Sequence, residues 1–216
     1  DKGEPLNRGW DAVLDSVEQT PSNALILTDR YLFKTTNPRY GNGFDNIRSI
    51  LNELLPRELN TNYHVTVIFD KDNIDALYDF QTIAKRLNNI KEEFKRPYPI
   101  TMEVLGISGK NDTYHDLHNR RIVSNYFVVK MDYKLAAFNK NVGTVDQTII
   151  PQVLFTQESL NGRSSAPLKS MNQIVSALRD FSNSLSSPRT NHNSYYYAVD
   201  GQWMEKCFAI RNRLIK

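Results

Sequence analysis

His64-Val65-Thr66-Val67-Ile68-Phe69 is a short β-branched run with a two-residue alternation, and it reads as the strand around which the neighbouring elements alternate. Upstream, Ile47, Ile50, Leu51, Leu54 and Leu55 recur at helical spacing, with Asp45 as the expected cap and Pro56 as the stop. Before that helix, Thr35–Gly43 is rich in Asn, Pro and Gly and reads as a loop. It follows a buried strand, Ala24–Thr28, which runs into Asp29-Arg30-Tyr31-Leu32-Phe33. Downstream, a long helix is expected from Asp72 or Asn73 to about Phe94. Leu77, Phe80, Ile83, Ala84, Leu87 and Ile90 face inward, and Pro97 and Pro99 end it. Ile100–Ile107 is the third strand. Strand, helix, strand, helix, strand implies an α/β domain, with a mixed, largely parallel sheet flanked by helices.

Farther out the alternation of elements lapses. Arg121–Lys130 is strand-like and breaks near Asn125 into a hairpin, and Asp132–Asn141 reads as a loop or short helix. Ile149–Phe155 is another strand, and Gln157–Ala166 a polar loop. Leu168–Phe181 is an amphipathic helix carrying Met171, Ile174, Val175, Leu178 and Phe181 on one side. Ser182–Ser194 is polar, Tyr195–Val199 a last strand, and Phe208–Ile215 is ambiguous. At the other end, Leu6–Glu18 has helical spacing. With no internal repeat and no strong linker, residues 1–216 read as one domain.

Composition narrows the function classes. Apolar residues at 40% and charged residues at 24% are ordinary globular usage. No apolar stretch is long enough to cross a bilayer, and no leader opens the residues given, which leads to the expectation of a cytoplasmic protein. The single cysteine, Cys207, excludes an intrachain disulfide and a cysteine-based zinc site. The net charge of +3 is compatible with a polyanionic partner without announcing one.

The chemistry is concentrated in Tyr114–Tyr126, which reads YHDLHNRRIVSNY. On a strand, His118 and Arg120 project from the same face, placing an imidazole beside a fixed cation. Asn125 joins them only if the strand bends or ends in between. Imidazole, guanidinium and amide together suit an anionic tetrahedral group such as phosphate. His115 and His118, with Asp112 or Asp116, have a spacing found in metal sites, but third and fourth ligands do not stand out. No cofactor or metal is expected. Asp29 and Tyr31 close the first strand, where α/β sheets place ligand-contacting residues. Arg121 and Arg213 are further candidate phosphate contacts, and Tyr195–Tyr197 are candidate base-stacking residues.

His118-x-Arg120-x-x-x-x-Asn125 resembles the His-x-Lys-x-x-x-x-Asp motif of phospholipase-D-like proteins. The run HNRRIVSN over 118–125, followed by an aromatic–apolar strand, is similar to a divergent branch of that superfamily. The branch includes the C-terminal domain of MIT-domain proteins, and bacterial proteins of unassigned function share the pattern. Asn23–Phe33 also resembles the first strand of that branch. The resemblance implies a phospholipase-D-like fold, with His118 as nucleophile, Arg120 as phosphate clamp and Asn125 as orienting group.

Two departures bear on catalysis. Arginine keeps the charge and the fork but cannot shuttle protons, and asparagine lacks the carboxylate that would stabilise an imidazolium. A second motif is also missing, since His192 is followed by Ser194 at +2 and Val199 at +7. The expected function is therefore a degenerate phospholipase-D-like module that binds a phosphate-containing or macromolecular partner, such as nucleic acid, without catalysis. The alternative is a homodimeric, metal-independent nuclease or phosphodiesterase. A place in a larger protein assembly is also compatible with the resemblance.

Overall fold

The computed structural model describes residues 22–34, 42–108, 120–131, 135, 149–153, 166–185, 195–205 and 209–215. The three strands around the opening motif form the middle of the sheet: β1 (Ala24–Thr28), β2 (Tyr63–Asp70) and β3 (Ile100–Ile107). β1 pairs with β2 and β2 with β3, both in parallel, with Leu25 opposite Val65 and Val65 opposite Met102. Two helices make the crossovers, α1 (Gly43–Leu54) and α2 (Phe80–Glu93). Successive crossovers in one direction along a sheet bring both helices to the same face. Phe44, Ile47, Ile50 and Leu51 of α1 accordingly share one core with Ile83, Ala84, Leu87 and Ile90 of α2, against Leu25, Leu27, Val65, Val67 and Val104.

Both helices begin later or earlier than the sequence suggests, for reasons of capping. Asn42, not Asp45, caps α1, its side chain accepting from the Asp45 N–H at 2.9 Å. α2 starts at Phe80, where the Asp79 side chain accepts from the Thr82 N–H at 2.6 Å. Asp72 and Asn73 are drawn instead into a turn by Asp70, which accepts from the Asp72 N–H at 2.9 Å and from the Asn73 amide at 2.6 Å. Competition of this kind is why Asp and Asn make good caps and poor helix interiors.

The sheet has eight strands among the described residues, in the order β6-β5-β4-β1-β2-β3-β7-β8. The outer strands are β4 (Arg121–Ser124), β5 (Phe127–Met131), β6 (Ile149–Val153), β7 (Tyr195–Val199) and β8 (Gln202–Met204). All join antiparallel, so the sheet is mixed but not largely parallel. Only its centre is parallel. For two of these pairings, β4 with β5 and β7 with β8, the physical reason is loop length. A two-residue connection at Asn125–Tyr126 can only reverse the chain, and the same holds at Asp200–Gly201. Asp200 and Gly201 have φ of +47° and +76°, the left-handed pair that a tight hairpin of this twist requires.

The second face is covered by α3 (Ala166–Ser184) and by a segment ending in a 3-10 turn at Arg213–Ile215. Ile174, Leu178 and Phe181 pack there against Ile26, Ile68, Leu105, Ile107 and Tyr197. Burying each such side chain contributes about 1.5–3 kcal/mol. No helix among the described residues is long and apolar enough to cross a membrane. The helix expected at 6–18, the segment 136–141, Cys207, His115, His118 and His192 lie outside the described residues.

Candidate functional site

The site forms where β1 and β2 end together. Because β4 runs antiparallel to β1, with Arg121 opposite Thr28, residue 120 is brought to the end of β1 that carries Asp29. Asp29 is fully buried as a side chain, and its Oδ1 lies 3.5 Å from Arg120 Nε. The same oxygen accepts from the Tyr31 N–H at 2.9 Å, and Oδ2 accepts from the Leu135 N–H at 3.2 Å. One carboxylate thus fixes the exit of β1, the approach to β4 and the chain beyond β5. Arg120 remains about a quarter exposed.

Tyr31 is the aromatic centre of this edge. The guanidinium carbons of Arg30 and Arg120 lie 5.3 and 5.9 Å from its ring centroid, and Lys34 Nζ lies 5.8 Å away. At such distances the ring quadrupole attracts each cation by about 0.5–1 kcal/mol. The end of β2 repeats the arrangement. Asp70 is buried, with Oδ2 3.4 Å from Arg30 Nε. Next to it, Lys71 Nζ is 3.2 Å from Asp72 Oδ1 and 4.9 Å from the Tyr196 ring centroid. Ser108, at the end of β3, donates to Asp72 Oδ2 at 2.5 Å.

Asp29, Tyr31, Arg120 and Arg121 are therefore assembled at the C-terminal edge of the parallel strands, the usual place for ligand contacts in an α/β sheet. Asn125 and Arg213 are not. Asn125 follows β4 and stands five residues from Arg120, roughly 16 Å along an extended strand. Its Oδ1 accepts from the Asn23 and Ala24 N–H groups at 3.0 and 3.1 Å, tying the turn after β4 to the start of β1. Arg213 sits in the turn on the α3 face. The neighbouring Asn212 donates to the Leu25 carbonyl at 3.0 Å, near the start of β1. His118 lies outside the described residues.

Asp70, Lys71 and Asp72 at the end of β2 escaped the sequence reading, as did Arg30, Lys34 and Ser108. The signal was available, because β1 and β2 both end in an aspartate whose carboxylate accepts the N–H two residues on. A second polar cluster was also missed. Glu103 is buried in mid-sheet on the α3 face. Its Oε1 accepts from the Tyr197 hydroxyl at 2.5 Å and the Arg211 N–H at 2.6 Å, and its Oε2 from the Thr66 hydroxyl at 3.0 Å. Burial raises its carboxyl above the ordinary glutamate range, more than those three donors lower it. Among the described residues, no group of three or more His, Cys, Asp or Glu is placed to hold a metal ion.

The chain matches no known protein-family model, no curated protein and no solved structure.

Proposed function

We propose that the chain is a phospholipase-D-like domain that binds a phosphate-containing partner at the C-terminal edge of β1 and β2 and does not cleave it. The observation that carries this reading is the buried Asp29 holding the partly exposed Arg120 beside Tyr31. A guanidinium oriented by a buried carboxylate is preorganised for a phosphate oxygen, so less of its freedom is lost on binding. The position taken by Asn125 supports binding over catalysis, because its amide is committed to the backbone of Asn23 and Ala24.

The test combines light-scattering mass with cleavage assays on single- and double-stranded DNA and RNA in the absence of metal, comparing wild type with His118→Ala. Titration of inorganic pyrophosphate into wild type and Arg120→Lys completes it. The expected result is no cleavage, and pyrophosphate binding that weakens about tenfold when the planar fork becomes a point charge. A dimer whose metal-independent cleavage disappears in His118→Ala would replace the binding module with a homodimeric phosphodiesterase.

A further inference from the structure

Resting on that reading, we infer that the partner is single-stranded nucleic acid, laid along the strand-end edge from Tyr31 to Tyr196. Three tyrosines open β7. Tyr195 and Tyr197 are buried in the α3-side core, while Tyr196 points to the other face and is 38% exposed. Its ring rests against Phe80, with centroids 5.3 Å apart, and carries Lys71 Nζ at 4.9 Å. A core role does not account for an aromatic ring left this open beside a cation. Because β7 runs antiparallel to β3, with Tyr195 opposite Ile107 and Tyr196 opposite Gly106, Tyr196 stands at the same strand-end edge as Lys71.

The edge thus holds two aromatic rings, each with cations. Tyr31 has Arg30, Lys34 and Arg120, and Tyr196 has Lys71. Between β1 and β7 lie three strand spacings, roughly 14 Å. That is the interleaving of stacking platforms and phosphate-tracking cations by which single strands are held without regard to sequence. A duplex keeps its bases stacked on one another, so it offers phosphates to the cations and nothing to the rings. Asp72 stands beside Lys71 with its side chain 43% exposed. Its charge disfavours a phosphate at that point, which places the phosphate contacts at the Tyr31 end and a base on Tyr196.

The experiment is fluorescence anisotropy of the full chain with labelled strands of about 12 nucleotides, a length within single-strand site sizes. The strands are oligo-dT, an abasic strand of the same length, and a duplex. Wild type should bind oligo-dT more tightly than either of the others. Tyr196→Ala should weaken oligo-dT binding about 5- to 100-fold and leave the abasic strand unchanged. Tyr196→Phe, which keeps the ring, should restore it, and Asp72→Asn should tighten it. Circular dichroism melting of each variant separates lost binding from lost folding, and the Phe variant keeps the comparison usable if the Ala variant unfolds.

Equal affinity for all three strands, with Arg120→Lys still weakening each, would overturn the single-strand assignment and leave the phosphate site standing. Preference for vesicles containing a phosphoinositide over oligo-dT would overturn it in favour of a lipid headgroup. Failure of every strand, of the vesicles and of pyrophosphate to bind would remove both the assignment and the site.

Discussion

Asp29 and Arg120 are 91 residues apart in sequence, yet one buried carboxylate oxygen of the first lies 3.5 Å from Nε of the second. Nothing local brings them together. The contact exists because β4 runs antiparallel to β1 and begins beside the strand terminus where Asp29 is held by backbone donors. In the proposed reading, Asp29 is the positioning residue and Arg120 the group offered to a ligand.

Removing the cation while keeping the carboxylate should be the costlier half of that pair. Arg120→Met leaves the Asp29 charge buried, and a loss of about 2–3 kcal/mol is expected, below the full cost of breaking a buried pair because Arg120 is partly exposed. Asp29→Asn keeps an acceptor for a backbone N–H and should cost about 1 kcal/mol. The double variant should be more stable than Arg120→Met alone. Urea midpoints of the four proteins measure the coupling, and simple additivity would show that the pair does not interact.

Asn125 anchors the start of β1 through two backbone N–H groups. Asn125→Ala strands both donors and should cost about 2–3 kcal/mol. Asn125→Asp keeps the accepting oxygens and should stay within about 1 kcal/mol of wild type, with pyrophosphate affinity unchanged. Thermal melts beside calorimetric titration check both halves. A change in affinity with no change in stability would place Asn125 in the site after all.

The Glu103 carboxyl sets a pH dependence of definite sign. Its folded pKa lies above its unfolded value, so the folded state binds more protons between the two. Its contribution is fully present below the ordinary glutamate value of about 4.3 and is lost as pH rises through the folded value. Glu103→Gln removes that ionisation while retaining an acceptor for Tyr197 and Arg211. Denaturation series in that pH range should show stability falling less with rising pH in the variant than in wild type. Parallel profiles would mean the carboxyl titrates alike in both states.

The hairpin joining β7 to β8 also holds α2. Asp200 accepts from Lys91 Nζ and from the Met102 N–H, both at 2.9 Å. Burial lowers the Lys91 pKa, but its bonds to Asp200 and Glu92 raise it further, and the net direction is upward. Asp200→Ala loses both bonds and strains a left-handed backbone, with an expected cost of about 2–4 kcal/mol. Gly201→Ala meets φ of +76° and an Asn88 Cβ at 3.1 Å from its new methyl, and should cost about 1–2 kcal/mol. Asp200→Asn tolerates the conformation and should fall between wild type and Asp200→Ala. Melting temperatures rank the three.

The centre of the fold was legible because its signals are local. Ala24–Thr28, His64–Phe69 and Ile100–Ile107 announce strands through β-branched apolar content, and the face of Ile47, Ile50 and Leu51 announces a helix. The hairpin at Asn125 was legible for the same reason. Strand order was not. Nothing within Arg121–Ser124 says that it lies beside β1, and nothing within Tyr195–Val199 says that it lies beside β3. β8 was missed because three residues, Gln202–Met204, are too few for a period to register. Asp29 and Tyr31 were read as closing the first strand, and they lie just past the end of β1. Asp70 and Lys71 occupy the equivalent place on β2 and were passed over between the strand expected to end at Phe69 and a helix expected from Asp72 or Asn73, which begins at Phe80.

The Asn212 side chain reaches across 187 residues of sequence to the Leu25 carbonyl and also donates to Thr66 at 2.9 Å. A closure of that span carries nearly the largest loop entropy this chain can incur, and contacts of high sequence separation slow folding. On that ground the βαβαβ centre, built from nearer pairings, is expected to form before 209–215 docks and completes the polar cluster around Glu103. Until it does, Glu103 and Thr66 lack their partners on that segment, so the order of assembly is tied to where the sheet keeps its buried carboxyl.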